Sequence, residues 1–418
     1  MISDLNDVQE DMIIQESITE LHTFLNKPWG ENIDFINDNP NLVRSANTIA
    51  FQAFVEGNND VVLLELLIIL IESNNLLFHK KSNYKLYQKT SETLFELIKT
   101  PKSNFPKLLI AKFYSVTVYA DFIFETPEIT ALWEENLIKS IEIFANHPML
   151  TDELFLHYIN VSQFYLYQGK LTQTHDYLFK AYFMLNSIHN QNYKALFYYH
   201  FAWFYVEKGD VAIAYEKIQA FFTNINENSV SPAIYLHALN IKGSIEFRLN
   251  HLDAALLLAK KCYDSAIKFY ESEIEDVIAE NLLTIGRCYL INGNYLEAAH
   301  NIKRSIEILE QIFGSSIVDP SQAVAHRILG DLYLAQGEFI DSYKEFDLVY
   351  RFYQSYYEDK IHDIYEVSNL YGSFVRLGIT TQNTEITKRF LKLLMSNFAE
   401  DNVNLQEAFL LLERVSTS

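Results

Sequence analysis

One spaced pattern constrains this chain more than any other feature. Aromatic-rich, helix-forming stretches break at Gly169, Gly209, Asn250, Gly293, Gly337 and Gly378, at intervals of 40, 41, 43, 44 and 41 residues. An apolar residue usually follows two positions on and a small residue five positions on, as Tyr295 and Ala298 do after Gly293. Self-similarity of this length marks a series of stacked units, each packing only on its neighbours. Length then stops being a guide to domain count, although 418 residues would otherwise suggest roughly two or three domains.

Each unit reads as two antiparallel helices. Before Gly293, the stretch from Val277 to Asn292 carries Leu282, Ile285 and Tyr289 at helical spacing. After it, Tyr295, Ala298, Ala299, Ile302 and Ile306 share one face of a helix running to Phe313. The glycine supplies a left-handed helix end that other residues adopt only with strain. Ala298 and Gly286 fall where the two helices approach most closely, so a larger side chain there would force them apart. Composition agrees with an all-α chain. Only 12 Gly and 8 Pro exclude collagen-like and linker-like chains, and argue against Gly-rich nucleotide folds and turn-rich all-β folds. An aromatic share of 14% excludes a disordered chain.

The units resemble the tetratricopeptide repeat. Its pattern of large apolar, Leu-Gly, Tyr, turn Gly, aromatic and Ala appears here as Leu282, Ile285-Gly286, Tyr289, Gly293, Tyr295 and Ala298. The next copy has Leu329-Gly330, Tyr333, Gly337, Phe339 and Ser342, with His326 in the first place. A third has Tyr198, Phe201-Ala202, Tyr205, Gly209, Val211 and Ala214, and the copies around Gly169, Asn250 and Gly378 are weaker. The spacing of about 42 residues, longer than the common 34, is similar to that of kinesin-light-chain repeats, as is the segment from Ile312-Phe313-Gly314 to Asp319-Pro320. The resemblance implies a right-handed superhelical solenoid of antiparallel helix pairs. The array is expected over 101–398, with a divergent helical N-terminal region over 1–100 and a capping helix and tail over 399–418. Within these regions, helices are expected at Asp11–Leu25, Asn41–Glu56, Asp60–Glu72 and Tyr84–Thr100, a pair at Phe105–Phe124 and Glu128–Asn146, and a cap at Leu405–Arg414.

The chemistry-bearing residues form no catalytic signature. No P-loop, dinucleotide fingerprint, nucleophile elbow or metalloprotease His pair is present, and neither enzyme activity nor any cofactor or metal is expected. Cys262 and Cys288 are too far apart for a zinc motif and too few for a disulfide framework, which fits a reducing compartment. His22, His157, His200 and His326 sit singly on helical patterns and read as structural. A formal charge of −21 argues against binding nucleic acid or anionic membrane. The charge is uneven: residues 1–38 hold nine acids and one base, whereas 79–112 hold eight Lys and two Glu. Met1 to Ile14 lack the basic start of a secretory signal, and the longest apolar run, Val61 to Ile71, is too short to span a bilayer. A cytoplasmic setting without membrane insertion is expected, with delivery into a host cell left open.

What remains is a binding surface. By the resemblance, the first helix of each pair lines the concave groove, and groove positions lie one and five residues after each motif's first large apolar. These are Ile159 and Gln163, Tyr199 and Trp203, Asn240 and Ser244, Leu283 and Arg287, and Arg327 and Asp331. Gln163, Tyr199, Trp203, Asn240, Ser244, Arg287, Arg327 and Asp331 are the candidate contact residues. Tyr158 and Tyr165 would extend Tyr199 and Trp203 into an aromatic platform, unless these rings pack in the core. Arg287 and Arg327 would meet a carboxylate or phosphate together, unless they pair with local acids such as Glu280 and Asp331. The Lys/Asn, Asn, Lys/Arg set with which chaperone-binding repeats clamp a C-terminal carboxylate is absent. The expected function is a scaffold that takes a protein or peptide in its groove. The alternative resembles bacterial peptide-sensing repeat proteins, with an N-terminal region acting on a protein target. Oligomeric state is not legible.

Overall fold

The computed structural model describes residues 106–118, 126–357, 365–399 and 402–417, with scattered positions between 68 and 123. The helices expected at Asp11–Leu25, Asn41–Glu56, Asp60–Glu72 and Tyr84–Thr100 fall outside the described residues, apart from a few single positions, as does His22. Among the described residues every regular element is helical: α1 (Lys107–Val116), α2 (Pro127–Ala145), α3 (Thr151–Tyr167), α4 (Leu171–Met184), α5 (Gln191–Lys208), α6 (Val211–Asn224), α7 (Pro232–Arg248), α8 (Leu252–Tyr270), α9 (Asp276–Ile291), α10 (Tyr295–Phe313), α11 (Pro320–Gln336), α12 (Phe339–Tyr357), α13 (Tyr365–Thr380), α14 (Thr384–Asn397) and α15 (Val403–Thr417). The helix expected over Phe105–Phe124 is shorter, ending at Val116 with the turn at Thr117. There the Thr117 hydroxyl donates to the Phe113 carbonyl at 2.7 Å.

Local chemistry explains most boundaries. Thr126 caps α2, its hydroxyl accepting from the Ile129 amide, with Pro127 at the first helical position. Asp319 and Gln322 form a capping box at α11, again followed by a proline. Between the helices of a pair, φ is +67° at Gly169, +85° at Gly209, +61° at Asn250, +74° at Gly293 and +82° at Gly337. These are five of the six expected turn residues. The sixth differs. Gly378 lies inside α13, and the left-handed residue of that turn is Gln382, at φ +56°. Gly378 serves close approach instead: a Cβ there would sit 2.5 Å from Thr387 Oγ1 and 2.9 Å from the Thr387 amide nitrogen. Gly330 does the same against Phe346, and Gly286 against Ile302.

The chain divides into two compact units. One holds α1, α2, α4, nearly all of α3, the first half of α5, and the turn joining α6 to α7. In it Trp133 is fully buried, with Phe113 and Tyr114 edge-on to its ring at 5.8 and 5.0 Å. The other holds the second half of α5, most of α6, and everything from Leu236 onward. Here α9 packs on its own second helix α10, on the preceding second helix α8 and on the next first helix α11. That surrounds α9 and buries ten of its residues, whereas α10 buries only the stripe of Ala298, Ile302, Ser305, Ile306, Ile308 and Leu309. At the C-terminal end Phe374 and Phe390 stack at 3.8 Å. The cap expected at Leu405–Arg414 lies within α15, which packs on α13 and α14 through Leu405 and Ala408.

Candidate functional site

The expected groove positions do not all face outward. Gln163, Tyr199, Asn240 and Arg327 are buried, whereas Trp203, Ser244, Arg287 and Asp331 are half-exposed. Ile159 and Leu283 are core residues. The i, i+4 rule places a residue on a helix face but cannot tell whether the next helix covers that face. Gln163 is fully buried, and neither of its amide atoms is hydrogen-bonded. The aromatic residues have separate neighbours. Tyr165 stacks on Tyr177 at 5.7 Å and donates its hydroxyl to Glu134 at 3.0 Å. Tyr158 lies 6.2 Å from the same Tyr177 ring, Tyr199 meets the His200 ring edge-on at 4.7 Å, and Trp203 meets Tyr167 edge-on at 6.2 Å. The Trp203 indole N–H donates to Glu207 at 2.9 Å, one helical turn along α5.

A charged cluster occupies the face shared by α5, α7, α9, α11 and α13. Its centre is Glu366 on α13, a buried carboxylate. One oxygen of Glu366 accepts from Arg248 Nη2 at 3.2 Å and the other from Arg327 Nη2 at 3.1 Å. Arg327 also donates from Nη1 to Asp331 at 2.8 Å, the local pairing that i, i+4 spacing allows. Arg248 donates from Nη1 to the Val206 carbonyl at 2.8 Å and packs its guanidinium 4.3 Å from the Tyr365 ring. Asp331 additionally accepts from Arg376 at 3.3 Å and from the Ser373 hydroxyl at 2.8 Å. Burial alone would raise the Glu366 carboxyl, but Arg327, Arg248 and Arg287 together hold it down at about 2.

Arg287 is different. Its guanidinium lies 4.0 Å from the Phe247 ring centroid, and among the described residues it makes no hydrogen bond or ion pair. Burial, followed by the repulsion of Arg327, lowers it to about 10. It does not pair with Glu280, which stands two helical turns away on α9. Glu280 accepts from the Asn240 side-chain amide, and burial together with nearby Asp276 raises its carboxyl well above the usual range. Glu207 is also raised by burial, against the opposing pull of Arg248. The face therefore has an acidic part around Asp276 and Glu280 and a mixed part in which Arg248, Arg287 and Arg327 lie among Glu207, Asp331 and Glu366.

Glu207, Arg248 and Glu366 were not singled out from sequence. Glu207 and Arg248 lie four residues beyond Trp203 and Ser244, so extending the stripe by one turn would have reached both. Glu366 carried no such signal, because its partners lie 39 and 118 residues away. The cysteines are free and buried, and burial pushes their thiols up to about 12 at Cys262 and about 11 at Cys288. His157 is buried against the Leu137 carbonyl at 2.8 Å, and His326 meets Glu345 at 2.7 Å. Among the described residues no group of three or more His, Cys, Asp or Glu gathers as metal ligands would. No helix among them is long and apolar enough to cross a membrane.

No protein-family model matches the chain, and no curated protein sequence matches it. Solved structures do. A Rap protein complexed with Competence and Sporulation Factor aligns at 14% identity over 85% of this chain and 91% of that one, with TM-score 0.55. NprR in complex with its cognate peptide NprX aligns at 14% identity over 84% and 96%, with TM-score 0.49. A tetratricopeptide repeat protein from Parabacteroides merdae aligns at 17% identity over 72% and 98%, with TM-score 0.43. The first of these is close enough to carry the fold: the chain is an all-α, tetratricopeptide-like array of helix pairs.

Proposed function

We propose that this chain is a non-catalytic binding protein that takes a protein or peptide segment along the face built by α5, α7, α9, α11 and α13. The observation that carries this reading is Arg287. It is a half-buried cation with no polar partner among the described residues, set among paired arginines on a face where every other guanidinium is already bonded. A charge kept in such a place costs desolvation unless an anion meets it. The other candidate contacts around it are Trp203, Asn240, Ser244, Arg327 and Asp331; Gln163 and Tyr199, expected from sequence as contacts, are buried and are not part of this face. No cofactor enters this reading, and the partner is a protein or peptide rather than a nucleic acid.

The test is a peptide-array screen of the full chain, repeated with Ser244→Trp. Ser244 is half-exposed on α7, between Asn240 and Arg248. The wild-type chain should capture a subset of peptides and the tryptophan variant should lose them. Capture that is indifferent to this obstruction would place the binding elsewhere.

A second reading is a peptide-responsive regulator whose N-terminal region, 1–100, acts on a protein target. The fold likeness to a Rap protein solved with Competence and Sporulation Factor favours it. A captured peptide should then change the recovery of a protein partner in pulldown; unchanged recovery across all captured peptides would count against it.

A further inference from the structure

On α9, a carboxyl held toward its protonated form, Glu280, and a cation, Arg287, each lack an oppositely charged partner among the described residues, and a cationic ligand group would draw the proton from Glu280. Glu280 and Arg287 are seven residues apart on one helix, which puts them on nearly the same side and separates them by about 10 Å along the axis. That is too far to pair directly. Glu280 has one partner, the neutral Asn240 amide, and the charged groups that act on it are the acids Asp276, Asp319 and Glu207. Arg287 rests on Phe247, and the groups that act on it are Arg327 and Arg248, opposed by Glu366 and Tyr365. Glu366 attracts Arg287 from a distance but makes no hydrogen bond to it; its two oxygens accept from Arg248 and Arg327 instead.

We infer that this face reads a zwitterionic peptide, with a cationic group of the ligand at Glu280 and an anionic group at Arg287, about 10 Å apart. An extended chain covers that span in about three residues. The inference rests on the peptide-binding reading above and narrows it to a ligand chemistry. Asn240 orients the Glu280 carboxyl, Phe247 packs against the Arg287 guanidinium at 4.0 Å, and the N–H groups of Arg287, which make no hydrogen bond among the described residues, suit a two-pronged contact with a carboxylate. Both groups shift as uncompensated charges do: burial raises the Glu280 carboxyl and lowers the Arg287 guanidinium. The ligand charges have two sources, side chains within a longer peptide or the free termini of a short one.

The experiment is affinity selection of randomised peptide libraries, from tripeptides to octapeptides, on the full chain, with ends free in one arm and acetylated and amidated in the other. Enriched sequences should pair Lys or Arg with Asp or Glu about three residues apart in the blocked arm if side chains are read. Enrichment only of short free-ended peptides would assign the charges to the termini. Arg287→Met keeps the contact with Phe247 and should reduce the preference for the acid by about tenfold or more, while leaving that for the base. Glu280→Gln should do the reverse, and Arg287→Lys should retain most of the acid preference. Neutral or single-sign enriched peptides would overturn this inference while leaving peptide binding intact. No enrichment in either arm would overturn both.

Discussion

Glu366→Gln is the sharpest test of how the charged face is held together. In the native chain this buried carboxylate accepts from Arg248 and Arg327, and it titrates at about 2 instead of 4.5. At about 1.4 kcal/mol per unit, that difference corresponds to about 3 kcal/mol of stability. Because the folded value is the depressed one, the contribution is fully present above pH 4.5 and disappears as pH falls through 2. Glutamine keeps the shape but removes the charge, leaving Arg248, Arg287 and Arg327 facing one another, so the variant should lose about 3 kcal/mol at pH 7.

The pH dependence separates this mechanism from simple misfit. At pH 3 the solution lies only about one unit above the folded value, so the gap between the native chain and the variant should shrink to about 1 kcal/mol, under half of its size at pH 7. Urea unfolding followed by circular dichroism at both pH values measures the two gaps, and hydrogen exchange of α13 amides reports the loss locally. A gap below about 0.5 kcal/mol at pH 7, within the range of ordinary surface substitutions, would refute the reasoning. So would a large gap that stays the same at pH 3, because steric misfit does not titrate.

Other consequences follow from single residues. Gly378→Ala should cost about 1–3 kcal/mol by urea unfolding, because the added carbon meets the α14 backbone as well as Thr387 Oγ1. Gly293→Ala, with open space around it and φ +74°, should cost only the backbone strain of about 1–2 kcal/mol. Cys262 and Cys288 should react with a thiol reagent at pH 8 only after denaturant is added, since both are buried and their thiols are raised to about 12 and about 11. The His157 imidazole should stay neutral by NMR until about pH 4. Because the unfolded chain takes up this proton first, its contribution to stability should fall as pH drops from 6.5 to 4.

The register of the array was legible because turns and close approaches leave chemical marks. A left-handed helix end favours Gly or Asn, and five of the six expected positions adopt positive φ. Gly378 shows where that logic fails. It comes 41 residues after Gly337, where a turn was due, but α13 runs two residues further and hands the turn to Gln382. A glycine between packed helices and a glycine at a turn look alike in a single sequence. Only the packing of Thr387 against it distinguishes them.

The candidate site divides along a different line. Arg327 and Asp331 are four residues apart, so their pairing was one of the outcomes that sequence left open. Arg248 and Glu366 are 118 residues apart and on helices whose adjacency depends on every intervening unit. Whether an arginine on this face is a structural tie or an open contact depends on the acids that reach it, and those acids arrive from other repeats. Arg327 has one such acid, Glu366, besides Asp331 on its own helix, and Arg287 pairs with none among the described residues. Sequence treated the two arginines as a matched pair reaching for one anion. The structure makes them unequal: Glu366 already occupies Arg327, and its negative charge, shared with Arg248, lets Arg287 remain cationic and unpaired beside them. The anion expected from outside the chain is therefore needed by one guanidinium and not by two. A ligand carboxylate should depend strongly on Arg287 and only indirectly on Arg327, through the network that positions it.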